Sequence, residues 1–194
     1  MTRRFLLFAA LALAWMTAAA PRPAAAQQDA GTFIQEMGNQ GISVMGPSVP
    51  YQQRYARFYQ LFNAYFDVRR IAYFALGAYT RSTTPEQQQQ FIQAFSQSIV
   101  AGYATKLGQY GGEPFRVTGV RQGAGEYIVS SQIERPTGPL MIEWHVVSDG
   151  GQLKITDVVI GGLSMLIQER DLFARLMQQS NNRFDIAIIA LARS

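Results

Sequence analysis

The spacing of apolar residues changes at Gly111-Gly112, and that change confines the chain to folds with segregated helices and strands. Upstream, apolar side chains recur every three or four residues. Tyr51, Tyr55, Phe58, Tyr59, Phe62 and Tyr65 form one aromatic face over residues 51–65. A looser helical spacing (Phe33, Ile34, Met37, Ile42, Met45) covers about 30–46, interrupted by Gly38 and Gly41 and ended by Pro47 and Pro50. Asp67 reads as an N-cap, with Phe66 and Ile71 spaced as a hydrophobic staple, for a short helix to Leu76. Thr84-Pro85-Glu86-Gln87 is a capping box with proline at the first helical position. The stripe Phe91, Phe95, Ile99, Tyr103, Leu107, Tyr110 follows it, and the glycine pair is expected to end that helix.

Downstream the period becomes two. Strands are expected at about 114–121, 126–134, 139–148 and 152–160, with turn residues between them. Links this short favour an antiparallel meander. Tyr127, Val129, Ser131 and Ile133 share one face of the second strand, and Leu140, Ile142, Trp144 and Val146 one face of the third. Gly161-Gly162 leads to a helix at about 163–178 carrying Leu163, Leu166 and Phe173, and residues 183–192 make a terminal helix. The expected fold class is therefore α+β, a four-stranded antiparallel sheet packed with several helices.

The first residues carry a different signal. Arg3 and Arg4 precede an uncharged, almost wholly apolar run from Phe5 to Ala20, then Pro21 and Ala24-Ala25-Ala26. This is the layout of a secretory signal peptide cleaved near Ala26. The run is shorter than the roughly 20 residues of a membrane-spanning helix. The expectation is a removed segment, residues 1–26, and one soluble, exported domain, residues 27–194.

The same division places the charge. Three of the 17 basic residues (Arg3, Arg4, Arg22) and none of the 13 acidic ones lie in residues 1–26, so the remaining chain is close to neutral. Only two lysines remain, Lys106 and Lys154, and no basic run exceeds Arg69-Arg70, which argues against a nucleic-acid partner. The absence of cysteine excludes disulfides, thiolate metal sites and cysteine nucleophiles. His145 is the sole histidine, so a His-based metal centre is not expected. No nucleophile elbow, phosphate-binding loop or metal-ligand spacing occurs. The reading is a non-enzyme with no cofactor and no metal. One enzymatic alternative remains, a lipid hydrolase using Ser131 or Ser164 with His145.

Three segments resemble the MlaC family, also called toluene-tolerance or Ttg2-type proteins. They are FDVRRIAYFALGAYTRSTTPEQQQQFIQAFSQSIVAGYATKLGQYGG from Phe66, SQIERPTGPLMIEWHV from Ser131, and LKITDVVIGGLSMLIQERDLFARLM from Leu153. The resemblance covers roughly residues 50–180. It departs from the family at Thr80, where a Trp is usual, and at Gly161, where an acid is usual.

The resemblance implies a periplasmic phospholipid carrier with an apolar pocket. It also implies exchange with an outer-membrane complex and an inner-membrane ABC transporter. A hopanoid-associated branch of the family implies a hopanoid ligand instead. A monomer is expected. The walls of such a pocket are expected from Phe91, Phe95, Ile99 and Tyr103, from Val129, Ile142, Trp144 and Val146, and from Leu163, Leu166 and Phe173. Tyr79, Arg81, Tyr103 and Tyr110 are candidates for its mouth. The periodicity itself does not choose, because a stripe looks the same whether it faces side chains or acyl tails.

Overall fold

The structure is a computed structural model and describes residues 23–193. The expected signal peptide lies outside the described residues, except for its last few positions. Six α-helices are described: α1 (Pro23–Ile42), α2 (Tyr51–Tyr65), α3 (Val68–Leu76), α4 (Pro85–Leu107), α5 (Met165–Gln179) and α6 (Phe184–Leu191). A 3-10 turn (Gly77–Arg81) links α3 to α4. The strands are β1 (Phe115–Gln122), β2 (Tyr127–Ile133), β3 (Leu140–Asp149), β4 (Gln152–Ile160) and β5 (Leu163–Ser164). They form one antiparallel sheet in sequence order.

The sheet therefore has five strands, not the four expected. Gly161 and Gly162, at φ 58° and 83°, reverse the chain tightly enough for Leu163 and Ser164 to pair back onto Ile160 and Val159. Ser164 then caps α5 by accepting from the Ile167 N–H at 3.1 Å. A two-residue strand fused to a cap leaves no alternation to read. Between β3 and β4, Asp149 pairs with Gln152 across Gly150 and Gly151, both at positive φ. This is the two-residue hairpin turn whose twist matches the strands it joins.

Two other boundaries differ from expectation. Helix α4 stops at Leu107, with Gly108 as its C-cap, before the glycine pair. The Arg54 side chain donates to the carbonyl of Ala104 in its last turn. Helix α1 begins at Pro23 and runs unbroken through Gly38 and Gly41. Gly38 has a packing role there, since a Cβ at that position would lie 2.3 Å from the ring of Phe115 on β1. The missing side chain lets α1 lie directly on the sheet. Gln35 reinforces that contact by accepting from the Val117 N–H at 3.0 Å.

The packing produces two apolar clusters. The first joins α3, α4, α5 and α6 through Phe91, Phe95, Phe173 and Phe184. Phe173 meets Phe91 edge-on at 4.5 Å. The second joins α1 to the sheet through Ile34, Phe115, Val129, Val146 and Ile155. Phe66 packs against both. Beside it, the Asp67 N–H donates to the Ile155 carbonyl at 2.9 Å, while its carboxylate caps α3 on the Arg70 N–H at 3.0 Å. Both the cap at Asp67 and the capping box at Thr84 agree with the sequence reading.

The Gly38 contact generates a prediction. Alanine in place of glycine favours a helix by about 1 kcal/mol, whereas overpacking costs about 1–3 kcal/mol. Gly38→Ala is expected to lower the urea midpoint despite the better helix propensity. A raised midpoint would refute the close approach.

Candidate functional site

The two clusters do not meet across the whole interior. Between them lies a cavity of about 570 Å³, within the size range of small-molecule sites. Its wall is assembled from α1, α2, α4, α5 and the inner face of the sheet.

Helix α4 explains how one stripe serves two purposes. Its first turns face α3, α5 and α6, so Phe91 and Phe95 are buried in the helical cluster. Beyond them Ile99, Tyr103, Leu107 and then Tyr110 line the cavity. The spacing is the same in both halves, and only the element opposite differs. The sheet divides in a similar way. Val129 and Val146 are fully buried in the cluster that holds α1, whereas Ile142 and Trp144 reach the cavity. Trp144 is fixed there by donating its indole N–H to the Ser131 hydroxyl at 2.7 Å.

Of the expected lining residues, Ile99, Tyr103, Ile142, Trp144 and Leu166 come together around the cavity. Phe91, Phe95, Phe173, Val129 and Val146 lie in closed packing, and Tyr79 packs edge-on against Phe173 at 5.8 Å. Leu163 is 63% exposed, because β5 places it on the surface before α5 begins. Arg81 is exposed at the end of the 3-10 turn, away from the cavity wall.

The cavity also uses residues that the pattern did not single out for it. Met37, Gly38, Gly41, Ile42 and Met45 supply the α1 side, and Phe58, Phe62 and Phe66 the α2 side. A sequence signal did exist. Glycines and methionines interleaved on one apolar face leave space and adapt to irregular shapes.

Few of the wall's polar groups are in deep burial. Asp157 is internally satisfied. Its carboxylate accepts from the Val158 N–H at 2.7 Å, the Ser164 hydroxyl at 2.5 Å and the Leu166 N–H at 2.9 Å. These bonds tie β4 to the start of α5. Burial pushes the Tyr103 hydroxyl up to about 12, with Glu169 and Asp157 nearby adding to the shift. Burial also raises the Glu169 carboxyl above its ordinary value, while Lys106 opposes that rise. Tyr110 donates its hydroxyl to the Glu113 carbonyl.

The hydrolase alternative finds no support in this geometry. Ser131 bonds Trp144 on the inner face, while His145, the next residue along β3, pairs its Nδ1 with Glu126 at 3.0 Å. Ser164 is engaged by Asp157 and the α5 cap. Neither serine is hydrogen-bonded to His145.

An antiparallel sheet and a helical layer separated by an apolar cavity define an α+β ligand-cavity domain. The family model described as MlaC protein matches residues 39–192, and the chain belongs to the MlaC family. It is 28% identical over 112 residues to the toluene tolerance protein ttg2D of Pseudomonas putida, covering 57% of this chain and 52% of that one. It is 25% identical over 97 residues to the intermembrane phospholipid transport system binding protein MlaC of Haemophilus influenzae, covering 47% and 45%. The chain thus spans about half the length of the curated relatives it matches. Its fold is similar to that of a phospholipid-binding protein from Ralstonia solanacearum, solved in complex with a phospholipid. That match has a TM-score of 0.67 and 19% identity over 84% of this chain and 98% of the other.

Glu169 provides a pH test. A carboxyl with a raised native pKa binds its proton more tightly when folded. The stability it contributes is complete below the ordinary glutamate value of 4.5 and is lost as pH rises through the native value. Glu169→Gln cannot ionise, so its Tm is expected to exceed wild type at about pH 8 and to converge with it at about pH 4. A Tm difference independent of pH would contradict the burial of this carboxyl.

Proposed function

We propose that this protein is a periplasmic lipid carrier that holds phospholipid acyl tails in the cavity and shuttles lipid between outer and inner membranes. It takes its cargo from an outer-membrane complex and exchanges it with an inner-membrane ABC transporter. The observation that carries this reading is an apolar cavity of about 570 Å³ between two closed clusters in a member of the MlaC family. The phospholipid named for the Haemophilus relative and for the Ralstonia structure supports the choice of cargo.

The physical requirement is simple. Each methylene moved from water into an apolar site gains about 0.8 kcal/mol. An acyl tail of about 15 methylenes therefore needs little from its carrier beyond a dry wall. Among the described residues no helix is long and apolar enough to cross a membrane. The apolar wall supports a reading of lipid exchange. A hopanoid has the same apolar requirement and remains the second reading, resting on the family resemblance.

Protein purified without detergent is expected to release lipid on organic extraction, identified by mass spectrometry. Absence of co-purified lipid, with no uptake from labelled vesicles, would sink the carrier reading. A paired substitution tests the wall. Ile99→Trp projects into the cavity and is expected to lower lipid occupancy with a near-native Tm. Val129→Trp enters closed packing and is expected to cost about 1–3 kcal/mol of stability. Full occupancy in a folded Ile99→Trp variant would contradict the assignment of this wall.

A further inference from the structure

Of the five methionines among the described residues, three line the cavity. Met37 stands on α1, Met45 in the link from α1 to α2, and Met165 at the start of α5. A thioether packs as an apolar group, but a hydroperoxide converts it into a polar sulfoxide.

The five differ in access and surroundings. Met37 and Met177 are shielded, at 8% and 3% exposed. Met141 is 48% exposed on β3 and does not line the cavity. Met45 and Met165 are partly exposed and stand on the wall, so an oxidant reaches them and the product faces the cavity. The Met165 sulfur has the Gln168 side-chain amide 4.0 Å away, a donor that a sulfoxide oxygen can use. Met45 has apolar surroundings instead. Its terminal methyl lies 3.0 Å from where a Cβ on Gly41 would stand, and Gly41, Ile42 and Leu107 share its wall. The next residue, Gly46, donates its N–H to the Leu107 carbonyl at 3.2 Å, which holds this link against the end of α4.

We propose that Met45 is a modification site, whose conversion to the sulfoxide by a hydroperoxide closes the cavity to acyl tails. The inference rests on the carrier reading above and adds a control to it. The thioether sulfur attacks the terminal peroxide oxygen, the O–O bond breaks and an S–O bond forms. Sulfur is oxidised. The remaining peroxide oxygen takes up the proton of the transferred one and leaves as water or an alcohol. With no tail bound, the new oxygen is hydrated. Entering tails strip that water and supply no donor, so the cost falls on the loaded form rather than on the fold.

The test treats delipidated protein with hydrogen peroxide, maps sulfoxides by peptide mass spectrometry and measures binding of labelled phospholipid from vesicles. Each protein is scored as the ratio of its affinity after oxidation to that before, so a changed basal affinity does not enter. Wild type is expected to bind about tenfold more weakly once oxidised, the effect of one polar group desolvated without a partner. Its Tm in the delipidated form is expected to stay near the untreated value, and methionine sulfoxide reductases acting on both epimers are expected to restore binding. Met45→Leu is expected to keep a ratio near one, whereas Met141→Leu and Met165→Leu lose affinity as wild type does. Where the leucine variant does not fold, Met45→Gln is expected to lower binding with no oxidant present. A phospholipid hydroperoxide in the vesicles serves as a second oxidant. Sulfoxide at Met45 with an equal amount of lipid alcohol would assign the oxidant to the cargo, and sulfoxide only with hydrogen peroxide would assign it to the solvent. Undiminished binding by protein fully oxidised at Met45, an equal loss in Met45→Leu, or no sulfoxide at Met45 under conditions that convert Met141 would overturn the proposal while leaving carriage intact. No binding by untreated protein would overturn the carrier reading, and the proposal with it.

Discussion

The backbone bond from Asp67 to the Ile155 carbonyl ties the helical half of the chain to the sheet. It comes at the junction of α2 and α3, where Phe66 forms a single bridge to the central region of β4. The residue that makes this bond also caps α3, and its neighbour Phe66 packs into both apolar clusters and onto the cavity wall. Separating α3 from β4 would thus open the cavity and uncouple the clusters together. Two residues further along β4, Asp157 makes the corresponding tie to Ser164 and the first turn of α5.

With these ties in place, stability and space are assigned to different parts of the same elements. Phe91, Phe95 and Phe173 are essentially fully buried. Each contributes on the order of 1.5–3 kcal/mol by burial. One to two turns further along α4, Ile99 and Tyr103 face open volume and pack less completely. The outer face and edges of the sheet are fitted with charge pairs such as Arg121–Glu143 and His145–Glu126. The apolar surface is kept inside, with Trp144 anchored through Ser131 so that a polar N–H does not stand unpaired in the wall.

Much of this was legible in the sequence because it depends on local chemistry. Asp67 and Thr84 were readable as caps, since an N-cap is defined by a side chain and the amides three residues on. The hairpins followed from period two and short glycine-containing links. The fifth strand was not legible, because two residues do not establish a period. The cavity was only partly so. Ile99 and Phe95 belong to one stripe with one spacing, and nothing local distinguishes a side chain facing Phe173 from one facing a void. That difference is tertiary. Gly38 is the converse case: it looked like an interruption of a helix, and its role emerged only with Phe115 opposite it.

A cavity between two cores has a thermodynamic consequence. Where a protein of one core has its densest packing, this chain leaves apolar side chains facing one another across a gap. An apolar occupant binds the folded state and not the unfolded one, so by mass action it stabilises the fold in proportion to the logarithm of its concentration. For any such occupant, binding and folding form a single linked equilibrium. Without such an occupant the molecule is the less stable form, so emptying the cavity forfeits that stabilisation.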